Sequence, residues 1–174
     1  MLVWGKIQKM RGLINIFRGE HYFLSNMYIL KNPIHFEGFA FFSVECAYVA
    51  SKTIHSGIRY RISQMDPYKA KKFGEKVFEE NISPNPNWSD EYRIEVMADL
   101  VRQKFDKNPD LLEKLLATRD AEIIEGNYWH DNFWGECFCG NCPKEKRRPK
   151  EERNNLGKIH EKIREEFKKQ KEGN

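Results

Sequence analysis

The chain has 174 residues, 11 of them glycine, with a hydrophobic share of 40%. That fits one domain at roughly 150 residues each and excludes a mainly disordered chain. No apolar run approaches the roughly 20 residues that a membrane-spanning helix needs. The net charge of +4 is unevenly placed, because residues 143–174 hold 12 Lys/Arg against 7 Asp/Glu and the rest is close to neutral.

The opening MLVWGKIQKMRG lacks the long apolar stretch and small-residue cleavage site of a secretory signal. Four cysteines, three of them within six positions, do not resemble a secreted disulfide framework. A cytoplasmic protein is expected. LINIF at 13–17 alternates as a strand does, and FRGEHYFLSN follows with turn chemistry broken by aromatics. Asn32-Pro33 marks a turn before IHFEGFAFF, a β-like stretch that Gly38 punctuates as a hairpin or bulge. From Ser43, a plausible N-cap, the period changes to that of a helix through VECAYVASK.

Three further helices are marked by their caps. Asp66-Pro67 stands before YKAKKFGEKVFEE, and Asn108-Pro109 repeats the device before DLLEKLLAT. Ser89 precedes a helix with Ile94, Met97, Val101 and Phe105 on one stripe. AEIIE at 121–125 is a short strand candidate, residues 127–155 read as irregular, and a last helix starts near Asn155. A loop of nearly thirty residues is unusual in a compact domain and is functional or disordered. Its second half, PKEKRRPKEERN, has the composition of a mobile segment.

Three constellations could carry chemistry. Glu45 and Lys52, seven residues apart on one helix, share a face across roughly 10 Å of rise, with Tyr48 between them. In the first helical turn the macrodipole favours an ionised Glu45, which suits a base, a nucleophile or a charge-stabilising carboxylate. On spacing alone a helix-starting Glu and a solvated Lys are the simpler reading of the pair. Trp88, Tyr128, Trp129, Phe133 and Trp134 lie beside Asn, Asp and Gly, as in pockets for flat polar ligands or in anchors for a long loop. Cys137, Cys139 and Cys142 with His130 are ligand types for zinc, but the spacing is irregular. Three reduced thiols are the simpler reading, so no metal and no cofactor are expected. Dinucleotide, phosphate-loop, serine-elbow and zincin motifs are missing.

Taken in order, the pieces resemble one family. FLSNMY at 23–28, FAFFSVECAYVASK at 39–52, Trp88, VRQKFDKNPDLLEKLLAT, Ile124-Glu125, HDNFWGEC and NNLGKIHEKIRE are similar to the ordered motifs of the YbiA-like, or NADAR, N-glycosidases, across about residues 14–167. The resemblance implies an α+β fold, a single compact and mostly helical domain with a few short strands. Its organisation would be an N-terminal extension at 1–13, the domain at 14–170 with a mobile loop at 143–153, and a tail at 171–174. It implies hydrolysis of an N-glycosidic bond to ribose, in riboflavin-pathway intermediates or in ADP-ribosylated guanine. The partner is then a ribosylated small molecule or ADP-ribosylated nucleic acid, and no membrane.

By the same resemblance Glu45, Lys52 and Asp131 are catalytic. Glu45 would act electrostatically or as an acid–base, and Lys52 as a Schiff-base nucleophile or phosphate contact. Arg18, Ser25, Asn26, Tyr48, Trp88, Trp134, Gly135, Glu136 and Asn155 would touch substrate. Two departures stand out: Cys46 replaces the family's histidine after the glutamate, and the loop between the WG and NLG motifs is longer. The reading from another class is a zinc-knuckle-like nucleic-acid-binding module built on Cys137, Cys139, Cys142 and the 144–153 basic run.

Overall fold

The structure is a computed structural model that describes residues 12–173. Residues 1–11 of the expected N-terminal extension and the last residue of the expected tail lie outside the described residues. Strand β1 (Leu13–Ile14) is followed by a 3-10 helix (Gly19–Leu24) and the hairpin of β2 (Ile34–Phe36) and β3 (Phe39–Phe41). Helices α1 (Val44–Ser51), α2 (Ser56–Ser63), α3 (Pro67–Glu79), α4 (Asp90–Lys107) and α5 (Pro109–Ala117) come next. Strands β4 (Glu122–Ile123), β5 (Gly126–Asn127) and β6 (Glu136–Cys137), two 3-10 turns and α6 (Asn155–Glu172) complete an α+β, mostly helical fold.

The caps act as their chemistry dictates. The Ser43 hydroxyl accepts from Cys46 N at 3.1 Å, one Asp66 carboxylate oxygen accepts from Tyr68 N and Lys69 N, and Ser89 accepts from Tyr92 N. Each satisfies a first-turn N–H that the helix itself leaves unbonded. Asn108 differs. Its amide accepts from Asn32 N and donates to Asn32 O and Lys104 O, joining the Asn32-Pro33 turn to α4 and leaving Pro109 alone to start α5. Helix α2 has no counterpart among the expected elements, because its cap is the His55 ring, whose Nδ1 accepts from Ile58 N.

Helix α1 is the centre of the fold. Seven of its residues are buried and Glu45 is half-buried, as expected of a helix covered on every side. It packs on α2, α3 and α4, while α6 closes the other side against α4, α5 and β4. The strands form three two-stranded pieces. β2 and β3 are antiparallel across a turn whose Glu37 and Gly38 both have positive φ, the twist that a two-residue hairpin requires. LINIF is a strand only at its first two residues, which pair in parallel with β4. From Asn15 the chain leaves the ladder to line a cavity.

Residues 127–155 are less irregular than expected. β6 pairs in parallel with β5, and the charged stretch forms 3-10 turns at Lys144–Lys146 and Lys150–Glu152. The 143–153 loop, expected to be mobile, is fastened at several points. Arg147 Nε donates to Cys142 O, Arg148 pairs with Asp90 at 3.0 Å, and Asn132 donates to Lys146 O. No helix among the described residues is long and apolar enough to cross a membrane.

Candidate active site

The N-terminus of α1 is set by the LSN turn, since Glu45 N donates to Asn26 O at 3.0 Å. The turn itself is held twice: the Ser25 hydroxyl accepts from Met27 N, and the fully buried Lys104 donates to Ser25 O. Burial pushes the Lys104 ammonium down to about 7. At the far end of α1, Lys52 is the C-cap, and its Nζ donates to Gly74 O of α3 at 3.1 Å. Gly74 permits this approach, because a Cβ there would lie 2.9 Å from Val49 Cγ2 and 3.2 Å from Lys52 Nζ.

The third wall is the loop after β5. The buried Asn127 amide organises it: Oδ1 accepts from Trp129 N and Asp131 N, and Nδ2 donates to Asp131 O at 2.6 Å. Asp131 repeats the device one step on, with Oδ1 accepting from Phe133 N and Trp134 N at 2.9 Å each. Trp134 meets Tyr48 edge-on, ring centroids 5.4 Å apart.

These walls enclose a cavity of about 520 Å³, within the range of small-molecule sites. Eight residues expected from the sequence line it: Glu45, Lys52 and Asp131, with Arg18, Ser25, Asn26, Tyr48 and Trp134. Four others do not. Trp88 stands behind Tyr48, centroids 5.6 Å apart, and props it. Gly135 is a spacer, since a Cβ there would lie 2.0 Å from Glu125 O. Glu136 donates its backbone N–H to Glu125 O and pairs with Arg153 at 3.8 Å. Asn155 donates to Phe133 O and Glu152 O. All four lie outside the cavity lining and brace its wall.

Burial decides the electrostatics. Desolvation raises the Glu45 carboxyl above its ordinary range, with Asp131 and Glu75 adding to the rise and Lys71 and Lys52 opposing it. Loss of hydration therefore acts against the first-turn helix effect of about 0.3–1 kcal/mol, which by itself favours the ionised carboxylate. Desolvation also lowers the Lys52 ammonium, against the pull of Glu45 and with help from Arg93. That is the direction a nucleophilic amine needs.

Sequence reasoning missed the most perturbed carboxyl. Glu125 lines the cavity, and its Oε2 is buried with no hydrogen-bond partner among the described residues. Desolvation first, then the charges of Asp131 and Glu45, push it up to about 8. Its one signal in the sequence was its place in the Ile124-Glu125 motif. Lys71, at the cavity mouth over the Trp129 ring at 6.0 Å, looked like any solvated lysine. Arg93, stacked 3.8 Å from the Phe133 ring centroid, carried no signal either. Asn26 Oδ1 is a second buried oxygen without a partner among the described residues.

Beside the cavity, the imidazole of His130 and the thiols of Cys137, Cys139 and Cys142 lie within 4.8 Å of one another. The sequence named these four as ligand types and preferred three reduced thiols to a metal site; the structure brings all four side chains together.

Fold and cavity together define an α+β domain with a ligand-sized cleft, walled by aromatics and floored by desolvated carboxyls and a desolvated lysine. The chain belongs to the NADAR domain family, whose model matches residues 16–168. Its fold is similar to that of the E. coli protein YbiA, solved by NMR, with a TM-score of 0.73 and 24% identity over 95% of this chain and 92% of that one. "Riboflavin biosynthesis protein VVA0006" of Vibrio vulnificus (strain YJ016) is 40% identical over 81 residues, which cover 47% of this chain and 19% of that protein. "N-glycosidase R617" of Acanthamoeba polyphaga mimivirus is 36% identical over 86 residues, 47% of this chain and 48% of that protein. The chain thus matches less than half the length of both relatives.

Proposed function

We propose that this protein is an N-glycosidase that hydrolyses the bond between C1′ of a ribose and a nitrogenous base or amine. The ribose would belong to ribose 5-phosphate or ADP-ribose. The carrying observation is the convergence of Glu45, Glu125, Asp131 and Lys52 on one aromatic-walled cavity. Departure of a nitrogen from C1′ needs a proton on the leaving group and negative charge near the oxocarbenium-like ribose. Glu125, with its value near 8, holds a proton at neutral pH and is the proton donor in this reading. Asp131, its Oδ1 fixed by two backbone N–H groups, stabilises the positive charge. Glu45 shuttles protons at the ring oxygen. Tyr48 and Trp134 form the apolar wall for the base, and Arg18 and Lys71 take phosphate.

Lys52 supplies the covalent version. When the ribose ring opens, C1′ and the nitrogen form an iminium. Once deprotonated, the Lys52 amine adds to C1′, the original amine departs with a proton, and water releases the sugar from the resulting Schiff base. Borohydride added during turnover is expected to leave a sugar adduct on Lys52. An active enzyme with no adduct would leave direct hydrolysis, with Lys52 as a phosphate contact.

The rival nucleic-acid module is less well supported, because Arg147, Arg148 and Arg153 of the basic run are engaged in internal contacts. Incubation with a ribosylated aminopyrimidine and with ADP-ribosylated DNA tests both. Release of ribose 5-phosphate or ADP-ribose supports the enzyme and names its substrate class, whereas binding of DNA with no release from either overturns it.

A further inference from the structure

The loop between β5 and α6 folds back so that four side chains beside the cavity meet at one point, their ligand atoms all within 4.8 Å of one another. Cys139 Sγ lies 3.3 Å from His130 Nδ1 and 3.5 Å from Cys142 Sγ, and Cys137 Sγ lies 3.9 Å from the same ring nitrogen. A zinc ion bound tetrahedrally, with Zn–S about 2.3 Å and Zn–N about 2.0–2.1 Å, sets its ligand atoms roughly 3.5–3.8 Å apart. The observed separations bracket that range. They are far from the roughly 2.05 Å of a disulfide, and all four cysteines of the chain are free.

The surroundings suit thiolates. Gly140 takes a positive φ of 73°, which turns the Cys139–Cys142 segment so that Asn141 N donates to Cys139 Sγ at 3.4 Å. The amide of Asn132, 5% exposed, donates to Cys142 Sγ at 3.3 Å. N–H groups aimed at sulfur stabilise the charged ligand and fix its direction, as supporting groups of metal sites do. Soft sulfur with one imidazole is a donor set for zinc rather than for magnesium or calcium.

We propose that His130, Cys137, Cys139 and Cys142 bind one zinc ion as a closed structural site. Four protein ligands leave no open position, so the ion takes no part in the chemistry and stabilises the loop instead. The link to the cavity is short. His130 precedes Asp131, and Asn132 accepts from Cys137 N while donating to Cys142 Sγ and Lys146 O. The ion would thereby clamp both sides of the loop that presents Asp131 and Trp134, taking in the cysteine-containing insertion in that loop.

The test uses the full chain produced in zinc-supplemented medium under reducing conditions. Elemental analysis is expected to find one zinc per chain, and the cobalt-substituted protein is expected to show the intense visible absorption of a tetrahedral thiolate site. In Cys139→Ser and Cys142→Ser the zinc content falls at least about tenfold, while Cys46→Ala, which alters a thiol elsewhere in the core, keeps it. Because a ligand variant can fail to fold, a second measurement uses the wild-type chain. Zinc removal by a chelator should expose residues 127–153 to limited proteolysis, and added zinc should restore protection. A reduced wild-type chain with only trace zinc overturns the proposal, as does stoichiometric zinc retained in the Cys139→Ser/Cys142→Ser double variant. None of these readouts uses turnover, so the zinc site and the N-glycosidase reading stand or fall separately.

Discussion

At the scale of single residues, the cavity stores unfavourable electrostatics that a solvent-facing site would not tolerate. Glu125 shows the sign most clearly. Its carboxyl has a value of about 8 in the folded chain against 4.5 for the free group. Between those values the folded protein holds a proton that the unfolded chain has lost, so Glu125 makes stability fall as pH rises from about 4.5 to 8. Glu125→Gln is therefore expected to raise the melting temperature at pH 8 more than at pH 5, as thermal scans at the two values would register. If Glu125 is the proton donor as proposed, turnover of the wild type is expected to decline above about pH 8, and the same change should remove that alkaline limb. Glu45→Gln should lower kcat by about two to four orders of magnitude, the usual contribution of a positioned proton-transfer group, with no loss of cooperative unfolding. A near-normal rate would remove Glu45 from the mechanism. The sequence marked Glu45 as important but assigned its charge state from the helix dipole alone. Desolvation depends on what three other segments place over the carboxyl, which no local pattern records.

Among elements, the decisive contact is that of α1 with α3. Gly74 lets the α3 backbone approach closely enough for its carbonyl to hold Lys52 Nζ. Gly74→Ala has two opposed effects. Helix propensity favours alanine by about 1 kcal/mol, while overpacking against a core side chain costs about 1–3 kcal/mol. Val49 is fully buried and β-branched, so its methyls have little room to yield and overpacking wins. The variant should show a lower denaturant midpoint and less borohydride-trapped adduct at Lys52. Element by element, the Ser43, Asp66 and Ser89 caps were legible because capping is local chemistry of three or four residues. Helix α2 was not, since a histidine ring rarely serves as a cap. Trp88, Gly135, Glu136 and Asn155, expected near substrate, stand outside the cavity lining, because a motif marks a residue as required without saying which way its side chain points.

For the whole molecule, the excess positive charge falls within residues 143–174, apart from the residues that line the cavity. Lys144, Lys146 and Lys150 are exposed on the charged loop, while the cavity mixes carboxylates and cations within a nearly neutral body. Replacing the three lysines by glutamine is expected to leave turnover of a free ribosylated nucleotide unchanged. If the substrate is ADP-ribosylated DNA, the same variant should bind it more weakly, with a flatter salt dependence, as titration at two ionic strengths would report. By itself the sequence determined the fold class, most helix starts, the family and the placement of Glu45 and Lys52 along one helical segment, because these rest on local periodicity, caps and ordered motifs. Only the tertiary structure decided that Glu125 joins them, that Glu45 and Lys52 are shifted toward their neutral forms, and that His130 meets three cysteines. The reason is common to all three. Proximity across distant segments and exclusion of water are properties of the packed chain, and both set the protonation and ligand geometry on which the site depends.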